Sequence, residues 1–453
     1  MRSIRGAAAL AVAVCTLASI AAAARTGPAG TWTQIAHAHN GAAPNLGLAR
    51  AKDGTLHVFW AGPARAPYST IFDTPIAPAG NVGRPHAVVS GWNSVQPPAA
   101  ATAPDGSIHV LISGQKVAST ADPFSGLNEA VGPGSWRLGP RAFGHYQLTV
   151  ASAAQVATAT LRNGQLVSAW RSANALLFQA GVDPATQPVD ITPPGLADDN
   201  VIAVDQASGE AYVAYEHVAS RQAFYRRVLP SLAAPQRLSQ GKIPGPQLAA
   251  RAGGGVYSAY APGGNRVVLV RLGGQPRAVP VPKGVEVLSA GLAAGPDGRL
   301  WVFYGNAQQT FATRTSKAVG GFEPVQAFRS PPGTVQYFRL EGEGSAGPLD
   351  LFADVTIDGG PKDGSYATHV LPMLSLAVAK KALKNASGKT TGFRVTVRVL
   401  DAGDPVEGAT VAGLPGGSKR TDARGSVVVT TAKMGALAVT ASKVGYVSAK
   451  GRA

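Results

Sequence analysis

The chain has 453 residues, enough for two or three domains, and its 55 glycines and 34 prolines favour a turn-rich structure with few helices. A formal net charge of +16 at pH 7 favours acidic partners such as teichoic acids or acidic polysaccharides. No nucleic-acid-binding motif accompanies this charge, which argues against a nucleic-acid partner. The alternative is that the basic residues only form a solvated surface.

Residues 1–24 have the three parts of a secretory signal peptide. Basic residues precede an apolar run over residues 7–20, and small residues follow it. We expect cleavage after Ala22 or Ala24 and a secreted or cell-surface bacterial protein, with an uncleaved N-terminal anchor as the alternative. The single cysteine, Cys15, lies in that run, so no disulfide is expected after cleavage. No later stretch is long and apolar enough to span a bilayer.

The stretch at residues 291–304 (GLAAGPDGRLWVFY) shows the pattern that organises most of the chain. Small residues lead into an Asp-Gly turn, and an apolar, aromatic run follows, which predicts a β-hairpin. The pattern occurs seven times, with turn glycines at Gly54, Gly106, Gly164, Gly209, Gly254, Gly298 and Gly347. This spacing of 44 to 58 residues predicts an all-β fold, a seven-bladed β-propeller.

The two ends of the repeat region complement each other. Residues 31–36 resemble an outer strand without a sheet, whereas residues 365–371 form a third strand that no fourth strand follows. We therefore predict that the N-terminal strand completes the last blade and closes the propeller over residues 31–371. Third strands such as residues 266–271 and 311–317 alternate charged and apolar residues, which is typical of half-solvated outer strands.

Residues 372–391 are basic and partly polar, and we interpret them as a linker. Residues 392–453 then form a second all-β unit, which begins with a strictly alternating strand at residues 393–400. Its motif residues are Val395, Val397, Val399, Pro405, Val406, Gly408, Ala409, Val411, Thr421, Asp422, Gly425, Lys443, Gly445 and Tyr446. They resemble those of bacterial immunoglobulin-like and carboxypeptidase-regulatory-like domains. The resemblance implies a small β-sandwich, and its basic residues would suit an anionic cell-wall polymer.

The repeats at residues 294–301 (AGPDGRLW) and 103–109 (APDGSIH) resemble those of streptogramin-lyase-type propellers, and the Asp-Gly turns partly resemble the Asp-box turns of sialidases. A sialidase would need a Tyr–Glu nucleophile pair, but Tyr215 and Glu216 are strand neighbours that point to opposite faces. A lyase of the first type would use His and Glu near the axis together with a divalent cation. The residues to compare with that set are His145, His217, Glu210 and Glu216.

Eight histidines raise the question of a metal site. His37 and His39 would share one face of an extended strand, and His57 and His109 occupy the same position in neighbouring repeats. Aromatic residues fill that position in three other repeats, so we interpret these histidines as packing residues. The spacing is not a metal-ligand motif, and we predict neither a metal nor another cofactor.

A ligand of such a propeller would bind where the channel opens, on the segments between repeats: residues 91–98, 142–151, 193–200 and 329–335. An aromatic platform could form there from Trp92, Phe143, His145 and Tyr146. We assign no catalytic residues. The leading hypothesis is a secreted or cell-surface binding or scaffold protein whose ligand is a glycan or a protein. The alternative is an exported sialidase-like glycosidase, or a lyase that acts on an acidic polysaccharide or a small lactone.

Overall fold

The computed structural model describes residues 31–37, 46–62, 70–116, 124–139, 141–147, 156–172, 175–192, 197–217, 219–242, 245–331, 337–356, 364–432 and 435–452. The predicted signal peptide, residues 1–24, lies outside these ranges. Within them the structure is all-β, and its one helical element is a single 3-10 turn at Pro296–Gly298. None of the helical structure in the described ranges is long and apolar enough to cross a membrane.

The first strand, β1 (Thr33–His37), precedes three antiparallel sheets built from consecutive strands. Sheet 1 contains β2 (Gly47–Arg50), β3 (Leu56–Gly62), β4 (Thr70–Ile76) and β5 (His86–Val89). Sheet 2 contains β6 (Ser94–Val95), β7 (Ala99–Thr102), β8 (Ile108–Gln115), β9 (Phe124–Gly132), β10 (Arg137–Leu138) and β11 (Phe143–Gln147). Sheet 3 contains β12 (Val156–Thr160), β13 (Leu166–Ser172), β14 (Ala175–Ala180) and β15 (Val189–Asp190).

Four further antiparallel sheets follow in the repeat region. Sheet 4 contains β16 (Ala197–Asp205), β17 (Glu210–His217), β18 (Gln222–Leu229) and β19 (Gln236–Lys242). Sheet 5 contains β20 (Leu248–Ala250), β21 (Val256–Tyr260), β22 (Val267–Arg271) and β23 (Pro276–Val279). Sheet 6 contains β24 (Ser289–Ala294), β25 (Leu300–Gly305), β26 (Gln309–Arg314) and β27 (Gln326–Arg329). Sheet 7 contains β28 (Tyr337–Glu343), β29 (Leu349–Thr356), β30 (Gly364–Val370) and the distant β1.

The turn between β2 and β3 shows why the repeat forms hairpins. Gly54 has a φ of 86°, a left-handed conformation that glycine adopts at little cost. The Asp53 carboxylate accepts a hydrogen bond from the amide of Thr55 at 2.8 Å. In sheet 2, Asp105 accepts the amide of Ser107 in the same way, also at 2.8 Å. The Asp-Gly pair therefore provides both the positive φ and the side-chain acceptor that these turns require.

Apolar clusters join each of these sheets to the next. Phe59 of sheet 1 and Ile108 of sheet 2 share one cluster, and others join sheets 2 and 3, 3 and 4, 4 and 5, 5 and 6, and 6 and 7. A further cluster contains Phe352 of sheet 7 and Val58 of sheet 1. Sheet 7, the last sheet of the repeat region, therefore packs against sheet 1, the first.

Strand β1 pairs with β30, so sheet 7 combines the beginning and the end of the repeat region. The register places Thr33 opposite Ala367, and the pairing is antiparallel. Ile35 and Ala36 are 6% and 1% exposed and belong to the cluster between sheets 7 and 1. Both hydrogen bonds and apolar burial therefore hold β1 in place.

The C-terminal part of the chain forms two sheets around a separate apolar cluster that includes Val397, Val411 and Val439. Sheet 8 contains β31 (Ser375–Lys384), β32 (Thr390–Asp401), β33 (Asp404–Pro405) and β36 (Ser426–Thr431). Sheet 9 contains β34 (Thr410–Ala412), β35 (Lys419–Arg420), β37 (Ala438–Ser442) and β38 (Ala449–Arg452).

The predicted linker at residues 372–391 is mostly strand. The whole of β31 pairs with β32, with Ser375 opposite Leu400 at one end. Leu376 and Val378 pack against the C-terminal cluster, whereas most of the lysines in the segment are exposed. The interpretation as a linker was therefore wrong: the exposed lysines masked a strand with one apolar face.

Buried charges connect the C-terminal sheets to sheet 6. The carboxylate of Asp401 lies 2.5 Å from Arg314 Nη2 and accepts the hydroxyl of Tyr446 at 3.1 Å. Arg299 Nη2 lies 2.8 Å from Asp404 and 3.5 Å from Asp401. The side chains of Arg314 and Asp401 are each 2% exposed. The prediction that residues 311–317 are half-solvated was wrong for this strand, because the C-terminal unit covers it.

The carboxyl group of Glu323 lies at the junction, which is the place where the C-terminal sheets contact sheet 6. We expect this group to make the free energy of unfolding depend on pH. Burial raises its pKa from 4.5 to about 8, although Arg314 and the amide of Met373, which donates at 3.0 Å, favour the charged form. The protonated group makes its full contribution to stability below the unfolded-state pKa of 4.5. This contribution is lost as the pH rises through the folded-state pKa of about 8. Glu323→Gln should therefore flatten the pH dependence and be more stable than wild type by up to roughly 3 kcal/mol near pH 8. Urea unfolding of wild type and Glu323→Gln between pH 4.5 and about 8 tests this prediction. Free energies of unfolding that change with pH in parallel in the two proteins would contradict it.

Candidate functional site

One strand from each of sheets 1 to 7 lines a cavity of about 290 Å³, and these lining strands are β2, β7, β12, β16, β20, β24 and β28. Each of these sheets contributes to its wall, through Leu48, Ala99, Ala157, Ile202, Leu248, Leu292 and Glu341 in turn. The strands are crowded: a Cβ at Gly47 would lie 3.1 Å from the carbonyl oxygen of Pro98. A second cavity of about 350 Å³ follows further along the strands of sheets 2 to 7. Most of the lining is small or apolar, so any charged group in it stands out.

Strand β28 brings charge into this wall. Arg339 and Glu341 are two residues apart and face the same side of sheet 7, whereas Leu340 packs in the cluster shared with sheet 6. Arg339 Nε lies 3.0 Å from Glu341 Oε1. Asp354 lies opposite Arg339 on β29 and is 2% exposed. One guanidinium therefore faces two carboxyl groups.

The carboxyl groups around Arg339 bind protons more readily than usual. Burial raises the pKa of Glu341; Arg339 and a backbone amide oppose this rise, and the charge of Asp199 adds to it. Burial also raises the pKa of Asp354, together with the charge of Glu341, although the hydroxyl of Ser365 donates to its Oδ1. We therefore expect at least one of the carboxyl groups of Glu341, Asp354 and Asp199 to keep its proton, because a single arginine lies beside all three.

Polar groups also reach the cavity from sheets 4 and 5. Asp199 lies in a bulge of β16 and has a φ of 47°, a conformation that costs a non-glycine residue about 1–3 kcal/mol. Bulges of this kind redirect side chains. Gln247, just before β20, donates from Nε2 to the carbonyl of Leu340 at 2.6 Å. Three sheets therefore place polar groups at the end of the cavity where its lining strands begin.

Sequence reasoning missed Arg339 and Glu341. They stand in the seventh and least similar copy of the repeat (FRLEGEG), where the other copies have mostly small or apolar residues. That contrast was the available signal, because a charge in a crowded inner strand needs a partner or a cavity. Pro97 and Pro98 of the predicted segment 91–98, and Asp199 and Asn200 of the predicted segment 193–200, do contribute to the wall. Residues 148–151, 193–196 and 332–335 of the predicted segments lie outside the described residues.

The residues proposed for an aromatic platform do not line the cavity, or their side chains lie outside the described part of the structure. Trp92 is 8% exposed in the cluster between sheets 1 and 2, and Lys116 Nζ lies 5.4 Å from its ring centroid. Phe143 is 1% exposed in the cluster between sheets 2 and 3. The backbones of His145 and Tyr146 lie in β11, but their side chains are outside the described part of the structure.

Three of the residues compared with a lyase site, Glu210, Glu216 and His217, lie on β17, whereas the backbone of His145 lies on β11. Glu210, at its start, accepts the hydroxyl of Tyr212 at 2.7 Å and lies 3.0 Å from Arg227. Glu216, near its other end, is 1% exposed and lies 2.9 Å from Arg221 Nη1. Both carboxylates are therefore paired within sheet 4.

The repeat-position histidines pair with carboxylates of the neighbouring strand. His57 Nδ1 lies 2.8 Å from Asp73, and His109 Nδ1 lies 2.6 Å from Glu129. His39 lies outside the described residues. Across the described ranges, no group of three or more His, Cys, Asp and Glu side chains is arranged to hold a metal ion.

No family model and no curated protein matches the sequence. Solved structures that match include a protein of unknown function from Dyadobacter fermentans, with a TM-score of 0.47 and 11% identity over 75% of this chain and 98% of that one. A fungal alcohol oxidase in complex with copper has a TM-score of 0.46 and 11% identity, covering 94% and 99%. An α-L-arabinanase from Penicillium chrysogenum, complexed with arabinobiose, has 0.43 and 12%, covering 76% and 98%. Similarity at this level does not decide fold or function.

Proposed function

We propose that residues 31–371 form a seven-bladed β-propeller closed by β1, and that residues 392–453, extended by β31, form a small β-sandwich. Two observations support the propeller: the packed series of sheets returns from sheet 7 to sheet 1, and one strand from each of these seven sheets lines the same cavity. The two C-terminal sheets around one apolar cluster support the sandwich.

We infer that this propeller binds a small polar ligand of the sugar class in the cavity beside Arg339. The observation that carries this function is a guanidinium and carboxyl cluster that faces a cavity of about 290 Å³, whose other lining residues are mostly small or apolar. Such a cavity suits a small molecule or the end of a glycan chain better than the surface of a folded protein. The predicted signal peptide, residues 1–24, would place this binding outside the cell or at its surface.

A glycosidase is the second candidate function. The carboxyl groups of Glu341 and Asp199 interact, and burial raises the pKa of Glu341. Glycoside hydrolysis uses one protonated and one ionised carboxyl group on either side of the scissile bond. In this reading Glu341 would act as the acid and Asp199 as the base or nucleophile.

Arg339→Gln should abolish the retention of any glycan that the full chain binds, because the variant removes the positive charge of the cavity wall. A glycan array and polysaccharide pull-downs measure retention, with product analysis on the same samples. Arg329→Gln, the same change at the exposed last residue of strand β27, is the matched control. Undiminished retention by Arg339→Gln would refute the cavity as the binding site.

Glu341→Gln separates the two candidate functions. A binding protein should release no product, whether it carries Glu341 or glutamine. A glycosidase should cleave its substrate and lose most of its turnover in this variant, because amide nitrogen cannot supply the proton. Cleavage that persists in the variant would exclude Glu341 as the acid.

A further inference from the structure

A second cleft lies between sheets 4 and 5, and it shares no lining residue with the cavities described above. Its volume is about 410 Å³. Residues of β18 and β19 form one wall, and residues of β21 to β23 form the other. The cleft is therefore a separate opening on the flank of the repeat region.

Tyr225 lines this cleft and contacts residues on both sides of it. Its hydroxyl donates to Gln236 Oε1 within sheet 4 and accepts the backbone amide of Gly273 from sheet 5. The ring is 7% exposed, and burial raises its pKa. Because the hydroxyl occupies the amide oxygen of Gln236, the amide nitrogen is left to donate elsewhere.

The cleft is positively charged, with two arginines and no acidic residue in its lining. Arg271, at the end of β22, is exposed, and its guanidinium has no hydrogen-bond or ion-pair partner among the described residues. Arg237 Nε donates to the carbonyl of Ser239 at 2.7 Å, which orients the second guanidinium. Gly255 makes room for the first one, since a Cβ there would lie 2.8 Å from Arg271 Nε.

We propose that this cleft binds an anionic sugar chain, with a carboxylate or sulfate on Arg271 and a sugar ring beside Tyr260. Guanidinium groups form charge-assisted and often bidentate hydrogen bonds with such anions. The hydroxyl of Tyr260, which has no partner in the described structure, and the amide of Gln236 supply uncharged hydrogen bonds for sugar hydroxyl groups. An acidic peptide would match the arginines but would use these uncharged groups less well.

Calorimetric titration of the full chain with heparin oligosaccharides, polygalacturonate oligosaccharides and neutral dextran tests the proposal. We expect the sulfated or the carboxylated oligosaccharide to bind, and the one that binds more tightly identifies the anion that the cleft prefers. The affinity should fall as salt is added. Arg271→Gln should weaken this binding about tenfold, since it removes the charge-assisted hydrogen bonds. Equal binding of dextran would overturn the proposal.

Arg266→Gln is the matched control, because Arg266 is also exposed, directly before β22 of sheet 5, but lies outside the cleft. Equal weakening by Arg266→Gln and Arg271→Gln would overturn the proposal by showing attraction to general surface charge. Preferential binding of poly-glutamate would overturn it in favour of an acidic peptide. Loss of the anionic sugar in Arg339→Gln but not in Arg271→Gln would also overturn it, by placing that ligand in the cavity.

Discussion

Asp401→Asn should lower the free energy of unfolding by about 3–5 kcal/mol, because it leaves the guanidinium of Arg314 buried without its counter-charge. The two groups lie 2.5 Å apart and are each 2% exposed. Arg299 keeps Asp404 at 2.8 Å, so the loss falls mainly on Arg314. Urea unfolding followed by tryptophan fluorescence is a suitable measurement, since Arg314 lies 5.3 Å from the ring centroid of Trp301.

Asp297→Asn, in the 3-10 turn directly before β25 of sheet 6, provides the matched control. Asp297 lies 3.0 Å from Lys317, but these side chains are 64% and 54% exposed, so we expect a loss below about 1 kcal/mol. The double variant Arg314→Met/Asp401→Leu should recover part of the stability, because it leaves neither of these charges unpaired. Similar losses for Asp401→Asn and Asp297→Asn would show that the buried pair does not stabilise the junction.

This junction changes the expected role of the C-terminal unit. A linker at residues 372–391 would leave the unit loosely attached, as in a spacer. Instead, β31 belongs to sheet 8, and both Arg314 of sheet 6 and Arg299, directly before β25 of that sheet, contact acidic residues of the C-terminal unit. We therefore expect the unit to hold a fixed position against sheet 6.

The hairpins were predictable from sequence because their determinants are local. Gly54 supplies the positive φ, and Asp53 accepts an amide two residues away, so a short window of sequence contains the whole turn. The alternation of apolar residues in β32 is local in the same sense, and residues 393–400 were recognised as a strand. Repetition of such windows at a regular spacing made the all-β fold predictable.

The site and the junction were not predictable because their partners are distant in sequence. Arg314 and Asp401 are 87 residues apart, so nothing near Arg314 distinguishes it from an exposed arginine on an outer strand. The pKa of Glu341 rises only because the fold buries its carboxyl group, and the charge of Asp199, which is distant in sequence, adds to this rise. Local patterns show which residues can form a strand, whereas charge pairing across sheets depends on the assembled fold.

Deletion of residues 31–37 should lower the melting temperature by about 10 °C or more, because it removes a whole strand and its apolar contacts. Strand β1 is the outer partner of β30, and Ile35 is 6% exposed in the cluster between sheets 7 and 1. Without β1, the edge of β30 would be unpaired, which favours association between chains. Thermal unfolding and light scattering on the deletion variant measure both effects, and a variant that melts like the full chain would refute closure by β1.

A synthetic peptide with the sequence of residues 31–37 (TWTQIAH) should restore part of the lost melting temperature when it is added to the deletion variant. Such a peptide would add a strand to the open edge of β30, which provides backbone donors and acceptors for it. The same peptide with Ile35→Asp should not do so, because it would bury an unpaired carboxylate in the cluster that Ile35 occupies. Thr33→Asp is the matched control, since Thr33 is exposed on the same strand. Equal rescue by the Ile35→Asp and Thr33→Asp peptides would show that apolar burial at this seam does not hold the strand.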